Sequence, residues 1–199
     1  MTRQQVFRIG GIVSGAVLIA FGIVTIVLAI YGHNTVTTEL ERQKITGTPD
    51  MSPSAIKEEV NKAGLKNIDL PTCTVAGKAV NDGSSARCFA QYMRIHALLA
   101  TGGLTYSEMP RYATADSTGT NDATQATKGP KGQPLDNPLR GVWINETALS
   151  TALNVSYMAT QLALFSLVVG IALLLAGIGF IILAAFGTLR RREPAAVAT

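Results

Sequence analysis

Two cysteines and a histidine in the middle of the chain have side chains that could bind a metal ion or take part in catalysis. Cys73, Cys88 and His96 offer sulfur and nitrogen ligands for zinc, and a thiol close to an imidazole could act as a nucleophile with its base. A structural zinc site needs four ligands at recognised spacings, and the only other histidine is His33, beside an apolar run. We therefore predict no metal site and no cofactor.

The same two cysteines fit a disulfide better. Cys73 and Cys88 both lie in the polar segment between two apolar runs and do not form a C-x-x-C motif. In an oxidising compartment they would close a loop of about 15 residues, which stabilises the fold by roughly 3 kcal/mol in the chain-entropy model. Free thiols and redox chemistry are the alternatives, and the lack of a C-x-x-C motif weakens the second. A disulfide would exclude Cys88 as a nucleophile.

Other polar side chains of this region do not form a recognisable catalytic set. Arg94, Glu108 and Arg111 are predicted to lie on a solvated face or in local salt bridges. The sequence contains no glycine-rich phosphate loop, no G-x-S-x-G and no H-E-x-x-H motif. We therefore predict that the protein is not an enzyme.

The most apolar stretch of the chain runs from Leu162 to Leu189 and contains no charged residue. Seventeen of its 28 residues are Leu, Ile, Val or Phe. At about −0.3 to −0.6 kcal/mol each, these residues favour insertion into a bilayer by roughly 5 to 10 kcal/mol. The stretch predicts a transmembrane helix over residues 159–189, because a core helix of a soluble protein would be shorter and would keep a polar stripe.

A second uncharged run, from Ile9 to Tyr31, predicts another transmembrane helix over residues 9–31. A secretory signal peptide is the alternative, since Arg3 and Arg8 precede the run. The apolar core of a signal peptide would be shorter, and Ala29-Ile30-Tyr31 is not an A-x-A-like cleavage site. An uncleaved anchor is the interpretation we adopt.

The net charge of +4 resides at the two ends of the chain. Arg3 and Arg8 precede the first apolar run, and Arg190, Arg191, Arg192 and Glu193 follow the second. The excess of arginine at both ends places both termini in the cytoplasm by the positive-inside rule. Nucleic acid is not an expected partner, because that would require a basic face on a folded domain.

The predicted fold is mainly α, a membrane helical hairpin of two transmembrane helices with a small disulfide-stapled α-rich exterior domain. The predicted segments are a cytoplasmic N-terminus (1–8), the first transmembrane helix (9–31), an extracytoplasmic domain (32–158) with a mobile loop (113–138), the second transmembrane helix (159–189) and a cytoplasmic tail (190–199). The loop is assigned from its Thr, Asp, Asn, Gly and Pro content.

Small residues recur at the same offsets in both apolar runs. Each set falls near one line along its helix and predicts a groove where another backbone can approach closely. The two helices could pack on each other, or both could dock on another subunit; the shared spacing could also be chance. The predicted helix-packing residues are Gly11, Gly15, Gly22 and Ala29 in the first run and Ser166, Gly170, Gly177 and Ala184 in the second.

The exterior domain contains two predicted helices. Ser52-Pro53 is typical of a helix start, and the helix is expected to end at Gly64. A stripe formed by Cys88, Tyr92, Ile95 and Leu99 predicts a second helix from Ser84 to Thr101.

Two further elements are expected on either side of the second exterior helix. The turn residues at 77–78 and 81–83 predict a small hairpin before it. A continuous helix from Asn145 into the second apolar run is also expected.

Several sequence pieces resemble a group of actinobacterial two-span membrane proteins of unassigned function. The pieces are RIGGIVSGAVLIAFGIVTIVLAIYG, ITGTPDMSP, AGLKNIDLPTCTVAGK, ARCFAQYMRIHALLATGG and GVWINETALSTALNVSYMATQLALF. Such proteins are sometimes labelled aromatic ring-opening dioxygenases, which need histidine and carboxylate ligands in a closed pocket, and two scattered histidines do not supply these. The resemblance implies topology and source, and no catalytic residue.

The sequence leaves three hypotheses about function. The first is a non-enzymatic accessory or scaffold subunit of a larger membrane complex in the cell envelope, such as a respiratory or secretory one. The second is a homo-oligomeric envelope protein whose exterior domain binds a ligand or a cell-wall component. The third is an enzyme with its site on the exterior domain. The expected partners are the lipid bilayer and either other membrane subunits or further copies of the same chain.

Overall fold

The computed structural model describes residues 2–186, without the side chains of Arg3 and Gln4. Arg190, Arg191 and Arg192, on which the topology prediction partly rests, lie outside the described residues. Within the described range the helices are α1 (Arg3–Gln43), α2 (Pro53–Lys62), α3 (Gly83–Ala100) and α4 (Leu139–Phe186). Between residues 2 and 186 the chain forms isolated β-bridges but no β-strand, so the mainly α prediction is confirmed.

The chain divides into two compact units. The helix-pair unit comprises the described residues up to Thr35 and those from Ala159 onward. The disulfide unit comprises residues Val36–Met158. The first unit consists of the main parts of α1 and α4, whereas the second contains α2 and α3 together with the remaining turns of the two long helices.

Helices α1 and α4 are long and apolar enough to cross a membrane. Their most apolar 18-residue windows are only 17% and 11% buried. The core helix of a soluble protein would be mostly buried, so these windows leave a large apolar surface for another environment to cover. This finding agrees with the two apolar helices that the sequence predicts.

Both helices predicted for the exterior domain are present. Ser52 is the N-cap of α2, where its hydroxyl oxygen accepts a hydrogen bond from the backbone N of Ala55, and a proline follows it at the start of the helix. In α3 the predicted stripe is inside: Cys88, Tyr92 and Ile95 are buried, and Leu99 is partly buried. The helical spacing of apolar residues therefore identified the core face of α3.

The predicted hairpin before α3 is wrong. A tight turn lies at residues 75–78, where Lys78 N donates to Val75 O over 2.9 Å, but the flanking residues pair with residues 45–47 rather than with each other. Gly47 N donates to Lys78 O over 3.0 Å and Val80 N donates to Ile45 O over 2.9 Å. A Cβ on Gly47 would lie 2.0 Å from the carbonyl oxygen of Val75, so only glycine allows this approach. The supposed turn at 81–83 is the start of α3, with Asp82 as its N-cap.

Replacing Asp82 with alanine is expected to lower the free energy of unfolding of the disulfide unit by about 1 kcal/mol. The Asp82 carboxylate accepts hydrogen bonds from the backbone N of Ser84 and of Ser85, at 2.7 and 2.9 Å, and the Ser85 hydroxyl completes a capping box. Urea unfolding followed by the fluorescence of Trp143 measures the change. Ser84→Ala on the same turn is the control, and an equal loss in both variants would contradict the capping role.

Two hydrophobic clusters form the core of the disulfide unit. The larger cluster surrounds the fully buried Tyr92 and includes Trp143 from α4. The smaller cluster surrounds the buried Val80 and takes Leu40 from α1 and Leu153 from α4. The turns of α1 and α4 that belong to the disulfide unit thus contribute to its core. Val80 and Tyr92, from the chain between these two helices, are buried at the centres of the two clusters.

The Thr-rich segment from 113 to 138 has bridges and turns but no helix or strand. Tyr112 bridges to Thr120 and to Asp136, and Thr127 N donates to Ala113 O over 2.9 Å. Asp116 accepts hydrogen bonds from the Thr114 and Thr118 hydroxyls, and these contacts lower the pKa of its carboxyl. The mobility predicted for this segment stays a prediction.

Candidate functional site

Three glycines of α1 lie directly against α4 in the helix-pair unit. An ideal Cβ on Gly11 would lie 2.8 Å from Ala184 Cβ, and one on Gly15 would lie 2.7 Å from Gly177 O. A Cβ on Gly22 would lie 2.8 Å from Gly170 O. Real Cβ atoms do not come so close to a carbonyl oxygen, so the two backbones approach to a distance that only glycine permits.

The α4 side of this contact is equally close. A Cβ on Gly177 would lie 2.7 Å from Gly15 O, and one on Gly170 would lie 3.0 Å from Gly22 O. Of the remaining predicted packing residues, Ala29 is buried and Ser166 is partly buried. The structure therefore brings the two glycine-containing faces together, and these faces are occupied within a single chain.

The predicted disulfide is confirmed: Cys73 is bonded to Cys88, with their Cα atoms 6.1 Å apart. The bond ties the segment before α3 to the second turn of that helix. Beside it, the Tyr92 hydroxyl donates a 2.6 Å hydrogen bond to the carbonyl oxygen of Cys73. Burial raises the pKa of the Tyr92 phenol, so the hydroxyl stays protonated and remains a donor at neutral pH.

Arg94, Glu108 and Arg111, which were considered for acid–base chemistry, each contact another residue. The guanidinium of Arg94 lies 5.4 Å from the centre of the Trp143 ring, and that of Arg111 lies 5.2 Å from the Tyr112 ring. The Glu108 carboxylate accepts hydrogen bonds from the backbone N and the hydroxyl of Thr105, which lower the pKa of Glu108. Each group thus serves a local contact.

A polar cleft of about 550 Å³ lies near the start of α4 and was not foreseen from the sequence. Arg140 forms one wall: its guanidinium stacks 3.9 Å from the centre of the Tyr106 ring and donates to Met109 O over 3.1 Å. Arg111 and Asp136 also line the cleft with opposite charges. With Arg140, the lining contains two arginines and one aspartate, and this excess of one positive charge does not by itself define a substrate class.

Asp50, Glu59 and His96 form a group of possible metal ligands. Asp50 precedes the N-cap of α2, Glu59 lies on α2 and His96 lies on α3. One ligand atom from each residue lies within 4.8 Å of the other two, and all three residues are partly buried. The sequence could not reveal this group by spacing, because the packing of α2 on α3 brings the residues together.

The electrostatics of this group favour a charged carboxylate. A hydrogen bond from the Thr48 side chain is the main cause that lowers the pKa of Asp50; burial opposes it, and the nearby His96 adds to the lowering. His96 Nε2 lies 2.8 Å from Asp50 Oδ2. Asp50 is therefore an anion at neutral pH.

These features define a mainly helical protein in which two long apolar helices accompany a disulfide-bonded helical unit. Comparison of the chain with protein-family models, with curated proteins and with solved structures found no match. Membership of an actinobacterial two-span family accordingly stays a prediction from the quoted sequence pieces.

Proposed function

We propose that the chain is a non-enzymatic integral membrane protein of the cell envelope that serves as an accessory or scaffold subunit of a larger membrane complex. The observation that carries the membrane assignment is the exposure of two apolar helices, whose most apolar windows are only 17% and 11% buried. A bilayer covers such surfaces without a protein core. A signal sequence would account for α1 alone and would leave α4 unexplained.

The proposed topology places both termini in the cytoplasm and the disulfide unit outside. The Cys73–Cys88 bond supports an exterior position for this unit, because disulfides persist in oxidising compartments and are rare in the cytosol. Arg8 before the first apolar run and the arginines at 190–192 support cytoplasmic termini through the positive-inside rule.

The proposed scaffold role rests on how the surfaces are distributed. Because the small-residue faces of α1 and α4 cover each other, larger apolar side chains remain for lipid or for neighbouring subunits. Phe21, Leu28, Phe165 and Leu183 are all more than 60% exposed. Such faces can bind other transmembrane helices by packing alone. The partners proposed are the bilayer and other membrane subunits, and no nucleic acid.

The test is purification of the tagged full-length protein from its native membrane in a gentle detergent, with quantification of every retained protein. An accessory subunit is expected to bring down other membrane subunits in fixed stoichiometry. A tagged, unrelated two-span protein expressed at the same level is the control. Recovery of the chain only with itself would overturn the accessory role and favour the homo-oligomer.

A further inference from the structure

We propose that Asp50, Glu59 and His96 bind one divalent first-row transition-metal ion such as Zn²⁺. This ion would link α2 and the turn before it to α3. The site goes beyond the proposed membrane role and does not depend on it. Its ligands come from three places in the disulfide unit: the turn before α2, the second turn of α2 and the C-terminal half of α3.

The distances suit a single small cation. Zinc binds imidazole nitrogen at about 2.0–2.1 Å and carboxylate oxygen at about 2.0–2.2 Å, so tetrahedral ligand atoms lie roughly 3.3 Å from one another. The His96–Asp50 pair is at 2.8 Å and the three ligand atoms lie within 4.8 Å of one another. Bringing the most distant pair from at most 4.8 Å to roughly 3.3 Å requires a combined displacement of up to about 1.5 Å, which side-chain rotation can supply.

A second observation concerns the histidine itself. His96 Nε2 is shielded from solvent and lies 2.8 Å from Asp50 Oδ2, a close contact that lacks the alignment of an N–H···O hydrogen bond. A cation between the two atoms would bind both the nitrogen lone pair and the carboxylate.

The ligand set selects the class of ion. One imidazole nitrogen with two carboxylate oxygens suits zinc and its first-row neighbours, whereas calcium takes six to eight oxygens and magnesium an octahedron of oxygens. Cys73 and Cys88 are joined in the disulfide and offer no thiolate. The side chain of Asp50 remains 30% exposed, so water can complete the coordination from the carboxylate side of the site.

The test uses the full-length protein in detergent, stripped with a chelator and titrated with Zn²⁺ by calorimetry. About one Zn²⁺ per chain is expected, together with a rise in the thermal unfolding midpoint. His96→Ala and Glu59→Gln should each weaken binding at least about tenfold and abolish the rise in midpoint. Ca²⁺ and Mg²⁺ at the same concentrations should produce neither effect.

The chain offers matched controls for both ligand variants. Glu58→Gln changes the neighbouring glutamate of α2, which pairs with Lys62, and His33→Ala removes the other histidine. Both should bind Zn²⁺ like the wild type. Glu59→Gln is the decisive variant should His96→Ala fail to fold, because Glu59 lies on the partly exposed surface of a helix.

Three outcomes would overturn the site: wild-type protein that binds no Zn²⁺, Glu59→Gln that binds as tightly as wild type, or control variants that lose binding equally. X-ray absorption at the zinc edge adds an independent readout, with only nitrogen and oxygen neighbours expected. Sulfur neighbours would show binding to reduced cysteines and would also overturn the assignment.

Discussion

Removing the Cys73–Cys88 disulfide is expected to lower the free energy of unfolding of the disulfide unit by about 3 kcal/mol, with a range of roughly 2–5 kcal/mol. The bond closes a loop with a sequence separation of 15 residues. It also holds Cys73 where its carbonyl oxygen accepts the hydrogen bond of the buried Tyr92 hydroxyl. Without the bond, the unfolded chain gains conformational freedom and this segment loses its covalent link to α3.

The fluorescence of Trp143 reports this change cleanly. It is the only tryptophan of the chain and lies buried in the same cluster as Cys88. Urea unfolding should be compared for wild type, for wild type with a reductant, and for the double variant Cys73→Ala/Cys88→Ala. The reduced wild type keeps both side chains, so it separates the cross-link from the packing of sulfur. Equal midpoints in all three samples, or two free thiols in protein isolated without reductant, would contradict the prediction.

The helices of the disulfide unit could be predicted because their signals are local. The Ser52 side chain accepts a hydrogen bond from a free backbone N–H of the first turn of α2, and Pro53 fixes the backbone dihedral angle at the start of the helix. Both residues lie within that turn or next to it. The stripe of α3 repeats at the helical period, which one face of a buried helix requires. Neither signal needs information from a distant part of the chain.

Two errors came from signals with two physical meanings. Asp82 can support either a turn or a helix N-cap, because in both its side chain binds nearby backbone N–H groups, and the hairpin prediction took the wrong one. Similarly, Asn137 lies at the end of the predicted loop, where the structure also has no helix, but its side chain can bind the backbone N–H groups of a helix that follows. In the structure Asn137 Oδ1 accepts a hydrogen bond from Leu139 N over 3.1 Å, so α4 begins before the expected Asn145.

The group of Asp50, Glu59 and His96 lay beyond sequence reasoning for a different reason. Zinc ligands are recognisable in a sequence by their spacing and by cysteines, and neither criterion indicates Asp50, Glu59 and His96. A ligand set spread over a turn and two helices has no spacing of its own. The packing of α2 on α3 creates it, and that packing depends on buried residues such as Ile56 and Ile95 rather than on the ligands.

Replacing Gly15 with leucine is expected to force α1 and α4 apart in the helix-pair unit and to destabilise their contact by about 2 kcal/mol or more. Even the Cβ alone would lie 2.7 Å from Gly177 O and 2.6 Å from Ile181 Cγ1. The side chain of Ile181 can rotate, but the backbone of Gly177 cannot yield without moving α4. Gly177→Leu should act in the same way from the other side.

Spin labels on cysteines introduced at Val13 and Leu183, which are exposed within this unit, measure the separation of the helices. Wild type should give one narrow distance distribution, and Gly15→Leu a longer and broader one. Gly179→Leu is the matched control, because a Cβ at Gly179 meets nothing within 4 Å. This variant has the same gain in helix propensity from replacing glycine with leucine, but not the steric clash. An unchanged distribution in Gly15→Leu would show that the close approach of the backbones does not hold the two helices together.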